Sequence, residues 1–213
     1  MAIKVIFFMQ LILVLIFGGI SESIGLCLNN DPSNSKVSFS ITFGSGSATY
    51  SGKTPASSNF TTNFQQAFGP TISSDMFGFV NEIPNENVFS HTGAFDHTSN
   101  DKSGYMFFAI VNNENLRFFN YKTGNLCIGV RYQFSAYLAN IFQKAFISGF
   151  ALYVQFEVRA ATITGPLLAQ NITQGIFTFD SMIWSKQGLS FVETNTSVVL
   201  LMISKVTTVG VGV

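Results

Sequence analysis

The stretch VSFSITFG sets Val37, Phe39, Ile41 and Phe43 on one side of an extended chain and Ser38, Ser40 and Thr42 on the other. Successive side chains of a strand point to opposite faces, whereas a helix returns to one face every third or fourth residue. A period of two therefore commits this segment to a half-buried strand. RYQFSAYLAN repeats it, with Tyr132, Phe134, Ala136 and Leu138 inward and Arg131, Gln133, Ser135 and Tyr137 outward. ALYVQFEVRA does so again, setting Leu152, Val154, Phe156 and Val158 against Tyr153, Gln155, Glu157 and Arg159. GYMFFAIV (104–111), NLRFFNYK (115–122), GIFTFD (175–180), GLSFVET (188–194) and SVVLLMIS (197–204) bring the strand candidates to about eight. Clusters of Gly, Asn, Ser, Thr or Pro separate them.

Helical signal is confined to ANIFQKAFISG (139–149), which has room for one turn. FGSGSATYSGKTPASSN (43–59) predicts a long surface loop whose small residues bury too little area to hold it rigid. No repeat, charge run or Pro-rich linker marks a second domain. Short strands with turn signals every 8–14 residues predict an all-β fold, an antiparallel β-sandwich of the jelly-roll kind.

Composition agrees with an exported protein of this class. Charged residues make up 10% of the chain, against roughly 25% in ordinary globular domains, so the exterior must be wetted by Ser, Thr, Asn and Gln. Eleven basic residues balance eleven acidic ones, which leaves no electrostatic footprint for nucleic acid or an anionic membrane. The amino terminus carries Lys4, an apolar run from Val5 to Ile20, then small residues at Ser21, Ser23 and Gly25. That is the layout of a secretory leader, and the expected division is a signal peptide over 1–25 and one sandwich domain over 26–213. The 16-residue run falls short of the roughly 20 that span a bilayer, so no membrane span is expected after cleavage.

Export makes a disulfide between Cys27 and Cys127 the expected state of the two cysteines, with two buried thiols as the alternative. It would close a loop of about 100 residues, worth up to ~4.7 kcal/mol in the chain-entropy account. Asn59, Asn171 and Asn195 each open an Asn-x-Ser/Thr sequon and are candidate glycan sites.

Chemistry-bearing residues gather in HTGAFDHTSNDKSGYMFF, which holds both histidines. His91, Asp96, His97 and Asp101 lack the spacing of a tetrahedral site and that of a twelve-residue calcium loop. Asp and Asn here accept hydrogen bonds from turn amides, so a structural loop is expected and no metal or other cofactor. No G-x-S-x-G elbow occurs, and no spacing singles out a carboxylate pair for glycoside hydrolysis. The expectation is a protein that is not an enzyme and has no catalytic residues.

DHTSNDKSGYMFF, NLCIGVRYQFSAYLANI, VQFEVRAAT, MIWSKQGLSF and SVVLLMIS together resemble a jelly-roll module of the galactose-binding-domain-like, carbohydrate-binding-module-like superfamily, found in secreted and cell-surface adhesive proteins. The matching positions are Asp96, His97, Thr98, Gly104, Tyr105, Cys127, Gly129, Tyr132, Phe134, Ala136, Asn140, Trp184 and Phe191, over roughly residues 77 to 204. The resemblance implies a non-catalytic carbohydrate-binding or adhesion module with glycans or extracellular proteins as partners. Two departures stand: Ser90 precedes His91 where such modules often place tryptophan, and the chain ends KVTTVGVGV where they close with an acidic, Gly-rich loop and a further strand. An incomplete C-terminal edge is expected.

The resemblance places both long alternating strands in the sandwich. If they neighbour one another, Gln133, Tyr137, Tyr153, Gln155, Glu157 and Arg159 form one polar, tyrosine-bearing face, and these six are the candidate ligand residues. Sugars are gripped by flat rings and by planar amide or charged groups. The same face also reads as an ordinary solvated sheet surface. Trp184 is expected as a core plug with a bonded indole N–H, with a stacking platform as the alternative.

Overall fold

Aromatic and β-branched residues at alternate positions build strands throughout. A computed structural model describes residues 3–8, 41–56, 59–85, 89–97, 102–111, 113–146 and 151–205, and every regular element among them is extended. In chain order the strands are β1 (Ile3–Phe8), β2 (Gln65–Gln66), β3 (Met76–Val80), β4 (Met106–Val111), β5 (Arg117–Gly124), β6 (Arg131–Asn140), β7 (Ala151–Ala160), β8 (Leu167–Ile172), β9 (Ile176–Phe177), β10 (Ser185–Val192) and β11 (Ser197–Lys205). No helix among the described residues is long and apolar enough to cross a membrane.

Two sheets result. The first runs β10-β6-β1-β4-β3-β2, and the second runs β5-β11-β7-β8 with β9 paired to β7. All strand pairs are antiparallel except β2 with β3. The architecture is all-β, two sheets packed face to face as in a sandwich.

The main core lies between the sheets. From the first come Phe77, Phe79, Phe107, Ala109, Phe134, Ala136 and Leu138; from the second come Phe119, Leu152, Val154, Phe156, Val158, Val198, Leu200 and Met202. Both long alternations therefore face inward with the residues the sequence assigns to the core. A second cluster covers the outer side of the first sheet, where Val80, Met106, Phe108 and Ile110 pack against Ile72, Ile83, Ile141 and Phe142. Being covered on both faces, β4 is buried along its whole length and reads as a continuous apolar run instead of an alternation.

The structure corrects several expectations. Residues 43–56 are not a loose loop: Phe43 is buried, Ser45 bridges Gly104, Tyr50 bridges Val80, and the Ser51 amide donates to the Phe79 carbonyl at 2.9 Å. Each contact fastens a small-residue segment to a sheet margin. Of the stretch 139–149, the described residues form the end of β6 and a turn at 144–146, and 147–149 lie outside the described residues. GIFTFD contributes only the two residues of β9, and β3 and β8 were not anticipated. Of the first alternating stretch, residues 37–40 lie outside the described residues, while Ile41 and Phe43 enter the core.

Ile3–Phe8, the amino end of the expected leader, pairs by its backbone with both β4 and β6; residues 9–25 lie outside the described residues. Cys127 is buried, and its amide donates to the Tyr132 hydroxyl at 2.8 Å. Its expected partner Cys27 lies outside the described residues, as do the residues after 205 that bear on the C-terminal edge.

Candidate functional site

The six candidate ligand residues do not form one face. β6 and β7 are consecutive in the chain but belong to different sheets, so their outward sides look away from each other across the sandwich. Tyr153, Gln155, Glu157 and Arg159 lie on β7, an interior strand of the second sheet. Gln155 and Glu157 are buried instead of solvent-facing. The Glu157 carboxylate is already engaged: it accepts from Gln155 Nε2 through Oε1 and from Arg159 Nε through Oε2 at 2.8 Å. Arg159 Nη1 reaches the Gly165 carbonyl at 3.1 Å. Each oxygen of the Glu157 carboxylate thus has a side-chain donor on its own strand.

Gln133 and Tyr137 lie on the outer side of β6, and here the sheet order builds a site. β10 pairs with β6 so that Ser190 stands opposite Gln133, Gly188 opposite Ser135 and Lys186 opposite Tyr137. Together Gln133, Ser135, Lys186, Gln187, Gly188, Leu189 and Ser190 line a shallow cavity of about 410 Å³, at the lower end of the roughly 300–1,000 Å³ of small-molecule sites. Gly188 makes the shelf flat. A Cβ there would lie 2.1 Å from the Phe134 carbonyl oxygen and 2.7 Å from Ser135 Cα, so only glycine lets the two backbones approach this closely.

An aromatic group stands at the Tyr137 end. His97 stacks on Tyr137 with ring centroids 3.9 Å apart, and the Trp184 ring meets His97 edge-on at 6.3 Å. Trp184 is half-buried against the second core cluster and donates its indole N–H to the Phe95 carbonyl at 3.3 Å. Asn171, one of the three sequon asparagines, is exposed on β8 and donates from Nδ2 to the Gly188 carbonyl at 2.9 Å. Asn59 is also exposed and Asn195 is half-buried.

Sequence reasoning found Gln133 and missed its partners. The signal for Ser190 and Gly188 was present in SKQGLSFV, whose strand begins at Ser185. Reading Gly188 as the strand's start, not as a point of close approach inside it, hid the pairing.

Burial lowers the pKa of both histidines below the ordinary value of 6.5; at His91 the Phe142 and Phe179 carbonyls and Asp180 oppose part of that effect. His91 Nε2 is buried with no hydrogen-bond partner, which suits a neutral ring. A folded-state pKa below the unfolded one means that the stability is fully present above the unfolded value and is lost as pH falls from there through the folded value. Denaturant midpoints are therefore expected to drop between pH 7 and pH 5, and to drop less in a His91→Asn/His97→Asn double variant. Equal slopes in the two proteins would refute the assignment.

Among the described residues no group of three or more His, Cys, Asp or Glu is placed to hold a metal ion. No protein-family model, curated protein or solved structure matches the chain.

Proposed function

We propose that this chain is a secreted, non-catalytic carbohydrate-binding or adhesion module of jelly-roll type that takes its glycan on the β6–β10 shelf. The observation that carries the reading is the shelf's composition. An amide (Gln133), two hydroxyls (Ser135 and Ser190) and an ammonium (Lys186) surround a glycine floor, with a stacked His97–Tyr137 pair at one end. Amides and hydroxyls both donate and accept, as sugar hydroxyls require, and a ring face suits the C–H side of a pyranose.

A glycan array probed with the exported protein tests this. Gln133→Ala and Lys186→Ala are each expected to weaken retention at least tenfold, whereas Tyr153→Ala, on the opposite sheet, leaves it within twofold. Binding to no glycan, or binding that only Tyr153→Ala disturbs, would refute the shelf.

A second reading, an extracellular protein-interaction domain without sugar affinity, has its own support. Phe89, Phe146, Phe177, Phe179 and Ile183 are 41–53% exposed. Phe89 meets Phe146 edge-on at 5.4 Å, and the Gln143–Phe179 bridge draws the segments together. Clustered exposed aromatics are a common mark of protein contact surfaces.

A further inference from the structure

The outer face of the β6–β10 pair carries charge of one sign. Alternation turns Arg131, Gln133, Ser135 and Tyr137 outward on β6, and the pairing sets Val192, Ser190, Gly188 and Lys186 opposite them in that order. Lys186 therefore stands at the Tyr137 end of the shelf. Arg131 stands at the other end, one outward row beyond the cavity lining. At roughly 3.4 Å of rise per residue, the two ends lie ~20 Å apart along the strands. Both cations are exposed, and neither takes part in an ion pair among the described residues.

The chain as a whole balances its charges, but these two strands do not. RYQFSAYLAN and SKQGLSFV hold one cation each and no acid. Glu193, the residue after β10, is fully buried and accepts from the Thr194 and Asn195 amides at 2.9 and 2.6 Å. Asp96 precedes the stacked His97 at the Tyr137 end, and no ion pair joins it to Lys186. A neutral sugar would use neither charge. A planar guanidinium matches the two oxygens of a carboxylate or sulfate, and an ammonium serves the same groups as a point charge.

We propose that the shelf takes an anionic oligosaccharide. Its carboxylate or sulfate groups engage Arg131 at one end and Lys186 at the other, while Gln133, Ser135 and Ser190 hold the neutral hydroxyls between them. This rests on the glycan reading of the shelf and names the class of glycan. Exposed ion pairs are individually weak and are screened by salt, so the signature is a salt-sensitive preference.

The test measures binding of the full chain to a set of uronate oligosaccharides, to the same set with the carboxyl groups reduced to alcohols, and to sulfated forms of the reduced set. At about 0.05 M salt the acidic sugars are expected to bind about tenfold tighter than the reduced ones, and at about 0.5 M the preference should largely vanish. The two acidic arms show whether carboxylate or sulfate is preferred. Arg131→Gln/Lys186→Gln, which keeps hydrogen-bonding groups but removes both charges, is expected to abolish the preference at low salt. Lys122→Gln, an exposed cation on the opposite sheet, should leave it within twofold. Equal binding of acidic and reduced sugars overturns the inference and leaves the glycan reading standing. Binding to none of the three sets refutes the glycan reading and the inference with it. A loss in Lys122→Gln as large as in the double variant, or equal competition by poly-glutamate, also overturns the inference, since either would mean attraction to charge alone.

Discussion

Replacing Phe107 by alanine is expected to lower unfolding stability by about 3–5 kcal/mol, the usual range for deleting a buried ring from a packed core. The side chain is 2% exposed. It contacts four other rings: Phe77 stacks on it at 4.7 Å, with Phe60, Phe79 and Phe43 at 5.8, 6.0 and 6.2 Å. Those rings come from β3 and from the segments before β2, so a hole at Phe107 loosens three stretches of chain that the inter-sheet core must hold together. Interiors of this density relax only partly around a vacancy, and the cost includes lost dispersion as well as lost burial. Urea denaturation at neutral pH reads the difference directly. A loss below about 1 kcal/mol would mean that Phe107 does not sit at the centre of this aromatic cluster.

How far the sequence disclosed this arrangement depended on the strand. β6 and β7 coincide with the alternations RYQFSAYLAN and ALYVQFEVRA from end to end, because ten residues of strict period two admit no other regular structure. β8 was invisible: LLAQNI is largely exposed at the margin of the second sheet and has no buried face to leave a pattern. MFGFV was missed for the opposite reason. It is buried on nearly every residue, short, and interrupted by Gly78.

The site was legible only in part. Alternation shows which residues point outward, but not which strands adjoin. The connection after Asn140 carries the chain from one sheet to the other, so Gln133 meets Ser190, more than fifty residues later in the chain, and never meets Tyr153. Outwardness also failed as a guide to exposure on β7. There Glu157 pairs with Leu201 and Arg159 with Val199, both fully buried on β11, so the polar groups lie across aliphatic neighbours.

That burial makes the Glu157–Arg159 pair the second position of large expected effect. The Glu157 side chain is 8% exposed and Arg159 is 27% exposed, with Nε to Oε2 at 2.8 Å. Removing one partner of a buried pair typically costs about 3–5 kcal/mol, because the remaining charge has been taken out of water without compensation. Arg159 is partly wetted and water can approach the carboxylate from its side, so Arg159→Leu is expected to cost less, about 2–3 kcal/mol. The double variant Glu157→Met/Arg159→Leu should recover most of that loss, since it leaves no charge behind and places apolar side chains beside Leu201 and Val199. A double-mutant cycle by urea denaturation measures the coupling. If the single and double variants are equally stable, the pair is a solvated surface contact, and β7 regains its standing as a face open to a ligand. If the single variant is the weaker protein and glycan retention is unchanged in both, these residues hold the second sheet together, and recognition belongs to the shelf across the sandwich.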